Sequence, residues 1–429
     1  MKEKTEIQTS NQINIMREEI KNNLDNPRQL EKLYRDNKTT FKKAFNHIYP
    51  DIQEKTTAQI WNERLRFEDE EISWGTSKEL IFVIVASLLS GLIAKIPEFT
   101  SIKPEYFYPR NLTFVVFPFL TAYFAWKQKM QTKKIISVLI AILISALYIN
   151  LLPNDTKSDT LILACIHMPL FLWALLGFTF VGDKTNNYQR RLDFLRYNGD
   201  LVVMTTIILI AGGLLTGLTF GLFELIDVKI EEFYFQYVGI WGLAAAPMVG
   251  TYLVQTNPHL VNKVSPVIAK VFTPLVIVTL IIYLLAVIAT GKDPYNDREF
   301  LLIFNMLLIG VMAIILFSIT ETSKNTESKI GTVLLLGLSI VTLIVNGIAL
   351  SAILFRISEW GITPNRLAVL GGNILILTNL LIVTYRLYKT LKNRNEMEKV
   401  EESIASFLPI YILWTIWVTF IFPILFSFK

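Results

Sequence analysis

The chain has 429 residues, 52% of them hydrophobic and only 18% charged, with a formal net charge of +5. So much apolar side chain excludes an ordinary soluble domain of this length, and a single cysteine, Cys165, excludes an intrachain disulfide or a cysteine-based metal cluster. The positive balance fits the loop lysines of a membrane protein and gives no ground for nucleic-acid binding.

Residues 1–12 are polar and expected to be disordered. A cytoplasmic helical head is expected over 13–79. Within it, NPRQLEKLYRDNKTTFKKAFNH (Asn26 to His47) places Asn26 as a helix cap and Pro27 at the first helical position, where a missing N–H is harmless. Leu30, Leu33, Tyr34, Phe41, Ala44, Phe45 and Ile48 recur at helical spacing, and a second helix over Thr57 to Phe67 offers Ile60, Trp61 and Leu65. So few apolar residues predict a head without a stable core of its own, leaning on the membrane domain or on a protein partner.

From 80 to 429 the expected fold is an all-α polytopic transmembrane helix bundle. A span needs about 20 mostly apolar residues. Eleven windows approach that: Leu80 to Ile96, Leu112 to Trp126, Ile135 to Leu152, Leu161 to Val181, Asp200 to Phe223, Phe235 to Val254, Val267 to Ala289, Phe300 to Ile319, Ile330 to Phe355, Leu367 to Tyr388 and Phe407 to Phe426. The first lies too far into the chain for a cleavable signal peptide, so it is expected to act as an uncleaved anchor. With the N-terminus inside, inner loops and flanks collect sixteen Lys and Arg residues against eight outside, from Lys103 to Arg366. Because cations resist translocation, this bias predicts a multi-pass protein of a bacterial cytoplasmic (inner) membrane, its head in the cytoplasm and the lipid bilayer its main partner.

Within the fifth window AGGLLTGLTFGLFE sets Gly213, Gly217 and Gly221 four residues apart, a spacing that lets two helix backbones approach closely. Pro118, Pro169, Pro247, Pro274 and Pro423 fall inside spans, where each permits a kink.

Polar residues recur at similar depth. At 1.5 Å of rise per residue, His167, Asn305, Asn346 and Asn373 lie about 9, 8, 14 and 9 Å below the outer ends of their windows, with Glu224 and Lys95 just above them. Two readings follow: hydrogen bonds between helices, or a polar vestibule opening outward.

RISEWGITPNR (Arg356 to Arg366) joins the ninth and tenth windows. Thr363 is placed to cap the tenth span, Pro364 to fill its first turn, Gly361 to make the bend and Trp360 to sit among headgroups. Arg366 stands at a helix N-terminus that repels a cation, so Glu359 is expected to pair with it or with Arg356 three residues earlier. Such a network would close the outer end of the two spans; the alternative is a substrate entrance.

GLTFGLFELI (Gly217 to Ile226) and GITPNRLAVLGGNILILTNL (Gly361 to Leu380) resemble a family of bacterial polytopic inner-membrane proteins known only as a domain of unknown function. The resemblance runs from about Leu80 onward. It implies location and topology and no chemistry.

The three histidines, His47, His167 and His259, are far apart, and no H-E-x-x-H, G-x-S-x-G or P-loop pattern occurs. No cofactor is expected, and an intramembrane enzyme is disfavoured, although Glu224, Asp227, Glu231 and Glu232 form an acidic outer loop. The leading expectation is a non-enzymatic polytopic membrane protein whose activity the sequence does not give, with a permease moving a small solute along a path walled by the later spans as one role it could fill. A structural or signalling subunit that recruits a partner through its head is the alternative.

Overall fold

A computed structural model gives the fold and describes residues 15–67, 75–155, 157–183, 187–224, 229–258, isolated positions between 273 and 295, then 298–322, 329–392 and 397–428. Among the described residues there are helices and turns and no strand. The chain divides into two compact units, Met1–Ser73 and Trp74–Lys429.

The first unit holds α1 (15–22), α2 (Pro27–Asp36), α3 (Lys38–Ile52) and α4 (Thr56–Phe67). Asn26 caps α2 by accepting from the Gln29 amide at 3.2 Å, and Asn37 caps α3 through Thr40 at 3.1 Å. The expectation of a coreless head is corrected. Ile20, Leu24, Leu30, Tyr34, Phe41, Phe45, Ile48, Trp61 and Leu65 bury themselves in one cluster, with Trp61 and Phe41 ring centroids 5.0 Å apart. Helical spacing put most of these residues on one face of each helix, while Ile20 of α1 and Leu24 of the turn after it lie ahead of Asn26. Glu31 on α2 accepts from Arg64 on α4 at 2.5 and 3.2 Å and from Arg35 at 2.8 Å, and these hydrogen bonds hold its carboxyl below the usual range.

The second unit comprises α5 (Ser77–Ala94), the short α6 (Ile96–Phe99), α7 (Pro104–Lys127), α8 (Thr132–Leu151), α9 (Asp159–Val181) and α10 (Tyr188–Glu224). Then come α11 (Glu231–Thr256), α12 (Arg298–Thr322), α13 (Lys329–Trp360), α14 (Pro364–Lys392) and α15 (Met397–Leu425). Eight of them are long and apolar enough to cross a membrane among the described residues: α5, α8 to α11 and α13 to α15. The second and eighth expected spans coincide with α7 and α12, which fall outside that set of eight; the seventh, Val267 to Ala289, lies mostly outside the described residues. The chain is a helical, multi-pass integral membrane protein.

Two packed groups of helices form this unit. In one, α5 lies along α11 and α7. The Ser90 hydroxyl of α5 reaches the Val115 carbonyl and lies 3.3 Å from that of Ala244, so one side chain ties three helices. In the other, α12 to α15 follow one another as antiparallel neighbours, with α13 against α14 the most extensive contact of the unit.

Close backbone approach occurs where a glycine faces an aromatic ring. A Cβ at Gly91 would overlap the Trp241 indole, one at Gly199 the Phe317 ring, and one at Gly371 the Trp414 indole. Among the described residues the expected Gly213 and Gly217 contact is not made: a Cβ there meets nothing within 4 Å, and neighbouring Leu214 is 72% exposed. That turn of α10 faces away from the rest of the described chain, and the side of Gly221 lies outside the described part.

Candidate functional site

The α12–α15 group encloses one apolar cluster, built from stripes such as Leu308, Val311 and Ile315 on α12, Leu335, Leu338 and Val345 on α13, and Leu380, Val383 and Leu387 on α14. Each stripe repeats every three or four residues, so each helix turns one face inward. Four polar side chains interrupt the stripes at one level. Asn305 and Asn346 each stand about 26 Å from the facing Thr322 and Lys329 ends of α12 and α13. Asn346 and Asn379 stand about 21 to 23 Å from the turn joining α13 to α14, and Tyr411 is the partner of Asn379 on α15.

Contacts tie these helices together. Tyr295, just before α12, meets Ser351 at 3.3 Å and the Phe355 ring at 5.5 Å, which sets the α12–α13 pairing. The Asn379 Nδ2 donates to the Tyr411 hydroxyl at 3.0 Å, which sets α14 against α15. Asn346 is thereby near the middle of its 32-residue helix.

Asn346 is fully buried, and neither its Oδ1 nor its Nδ2 has a hydrogen-bond partner among the described residues. Asn379, 1% exposed, has one end bonded and its Oδ1 without a partner. A buried amide left unpaired costs about 1 to 3 kcal/mol, and native structures hold few of them. Neighbouring hydroxyls show the contrast: Ser339 and Thr342, also fully buried on α13, bond their own helix at Leu336 and Leu338, at 2.8 and 2.7 Å. Asn346 and Asn379 thus carry hydrogen-bonding capacity that no described residue uses.

Ionisable groups on these helices gather toward the ends. Arg386 stands about 10 Å along α14 from Asn379, and Asp200 of α10 follows Gly199, which packs on Phe317 about 18 Å from Asn305 along α12. Carboxamides do not act as acids or bases near neutral pH, so the three asparagines offer hydrogen bonds and no proton transfer. Among the described residues no group of three or more His, Cys, Asp or Glu side chains is placed to hold a metal ion.

The other expected polar positions separate. Asn373, 3% exposed with its Nδ2 unpartnered, lies about 9 Å from Asn379 toward the 361–363 turn. His167 sits on α9 with Nδ1 2.9 Å from the Leu163 carbonyl of its own helix. The side chain of Glu224, with Asp227 and His259, lies outside the described residues, whereas Glu231 and Glu232 open α11 on an exposed turn.

At the 361–363 turn the expected charge network takes another form. Arg366 donates to the carbonyl oxygens of Trp360 and Gly361, Arg356 stacks 5.0 Å from the Trp360 ring, and no ion pair to Glu359 is found among the described residues. Helix α13 ends in carbonyls that carry partial negative charge, so they replace the carboxylate that the sequence offered. Thr363 caps α14 by accepting from the Arg366 amide at 3.3 Å, and Gly361 takes φ of 77° at the end of α13, as the spacing predicts.

Buried charges also stand at both ends of α5, at Glu79 and Lys95. Glu79 accepts from the Tyr123 hydroxyl and from Lys127 at 2.9 Å, while Thr76 caps α5 at the Glu79 amide. Lys95, 1% exposed, pairs with Glu98, donates to the Gln236 carbonyl at 2.8 Å and lies 4.3 Å from the Tyr237 ring centroid. That carbonyl belongs to the π turn Phe235–Gly239. Sequence reading passed over Glu79 and Asn379. Glu79 had a signal in T-x-x-E before an apolar run; Asn379 had none, because its level with Asn346 follows only from the helix ends.

Compared with known proteins, the chain matches no family model, no curated protein and no solved structure.

Proposed function

We propose that the chain is a permease that carries a small solute between α12, α13, α14 and α15. One observation supports this reading above others: the Asn346 carboxamide is wholly buried near the middle of a membrane helix with both ends unpartnered. Intramembrane polar groups that do not satisfy one another mark solute paths, and transporter sites lie near the bilayer midplane. The sixteen-to-eight loop bias supports an orientation with the first unit in the cytoplasm of a bacterial inner membrane. The resemblance of the 217–226 and 361–380 stretches supports the same placement.

Metabolite profiling of a deletion strain beside strains complemented with the native chain or with Asn346→Leu tests the reading. A solute whose distribution shifts on deletion, returns with the native chain and stays shifted with Asn346→Leu is the expected result. Full recovery with Asn346→Leu contradicts it.

A second reading, recruitment of a protein partner, draws on the separate core of the first unit, which gives that unit a surface of its own. Co-purification of a defined protein that is lost on removing residues 1–73 would favour it.

A further inference from the structure

We infer that the solute handled at the amide layer is uncharged and presents a hydrogen-bond donor beside an acceptor, as a carboxamide or a urea does. This rests on the permease reading and adds the substrate class. The Asn346 side chain offers one carbonyl oxygen and two N–H donors from adjacent atoms, none of them engaged by a described residue. A second carboxamide or a urea meets such a group edge to edge, with one bond in each direction. Asn379 contributes an unpartnered Oδ1 at the same level, its Nδ2 being held by Tyr411. The layer therefore offers two carbonyl acceptors and the two N–H donors of Asn346 beside a largely apolar cluster.

Charge decides between solute classes. A cation or anion brought to this level would leave water for neutral amides, with Arg386 about 10 Å away along α14 and Asp200 farther still. Charged groups near the centre of a bilayer are costly unless paired, and the layer supplies no opposite charge to pair with. A neutral amide exchanges its bonds to water for equivalent bonds to Asn346 and Asn379, so it crosses without that penalty. The same chemistry keeps ions from leaking through the path.

The test uses the full-length protein reconstituted into liposomes and four radiolabelled probes of similar size: urea and acetamide, which are neutral, and guanidinium and methanesulfonate, which are permanently charged. Urea or acetamide entry is expected to exceed the protein-free rate at least several-fold, guanidinium and methanesulfonate to enter at the protein-free rate, and Asn346→Leu to abolish the neutral flux. Asn379→Leu is expected to reduce it as well. Selectivity of the native protein carries the test on its own, so a variant that fails to fold leaves the result decisive. Protein-dependent entry of a charged probe in preference to the neutral ones overturns the inference and leaves the permease reading intact. Flux of none of the four also overturns it, and the permease reading then rests on the metabolite comparison alone.

Discussion

Arg366 donates through one guanidinium nitrogen to the carbonyl oxygens of Trp360 and Gly361, both at 2.7 Å. A cation in the first turn of α14 is unfavourable by itself, but here it closes the carbonyl end of α13 and locks the turn between the two helices. The expected consequence is that Arg366→Gln lowers the thermal stability of the detergent-solubilised protein by about 1 to 2 kcal/mol. Glu359→Gln should change little, and the double variant should show the sum of the two effects. A double-mutant coupling above about 0.5 kcal/mol would restore the ion pair.

Aromatic residues facing single glycines give a second prediction. Gly371→Ala drives a methyl group into the Trp414 indole, and Gly91→Ala into that of Trp241. Each should cost about 1 to 3 kcal/mol, as overpacking does. Gly217→Ala meets nothing within 4 Å among the described residues and should leave stability unchanged or raise it, since alanine favours a helix. Melting curves of the three variants decide the matter, and a loss at position 217 equal to that at 371 would defeat it.

In the first unit, pH acts through Glu31, whose carboxyl is held below the usual range by hydrogen bonds from Arg64 and Arg35. A carboxyl with a lowered folded pKa contributes stability above its unfolded value of about 4.3 and loses it as pH falls through the folded value. Hydrogen exchange over residues 27–67 of the full-length protein should therefore quicken, after correction for intrinsic rates, below about pH 4. Glu31→Gln should exchange faster at pH 7 and show a flatter pH dependence. Identical pH profiles for the two proteins would count against the ion pair.

Glu79 draws on two donors from α7, Tyr123 and Lys127. Lys127→Met leaves a mostly buried carboxylate without its cation and should cost about 3 to 5 kcal/mol, whereas Tyr123→Phe removes one hydrogen bond and should cost about 1 to 3 kcal/mol. Melting of the two variants gives the order, and equal losses would mean that Lys127 is dispensable to Glu79.

Helical class was legible in the sequence because a membrane span writes itself as a run of about 20 apolar residues. Its ends were not: α13 extends to Trp360, beyond the Phe355 at which hydropathy stops, because a helix continues into headgroups with polar residues. Asn305 and Asn346 were legible as intramembrane amides. Their common level with Asn379 and Tyr411 needed true helix ends, from which equal distances can be measured. Arg366 was misassigned because its acceptors are backbone carbonyls, which no residue letter announces. Glycine spacing at 213 and 217 misled for a related reason: a repeat marks one face of a helix but not what that face meets, whereas glycines that face an indole or phenyl ring closely, such as 91, 199 and 371, follow no repeat.

Access of water-soluble reagents to position 346 tests the central claim most directly. A single cysteine placed there in a Cys165→Ala background should react in membranes with a small hydrophilic thiosulfonate, because a solute path must open to water during its cycle. The reaction should slow when urea or acetamide is present in excess. A cysteine at 346 that stays unmodified by the hydrophilic reagent, while a membrane-permeant maleimide labels it, would mean that the amide layer is sealed from water and that no solute passes there.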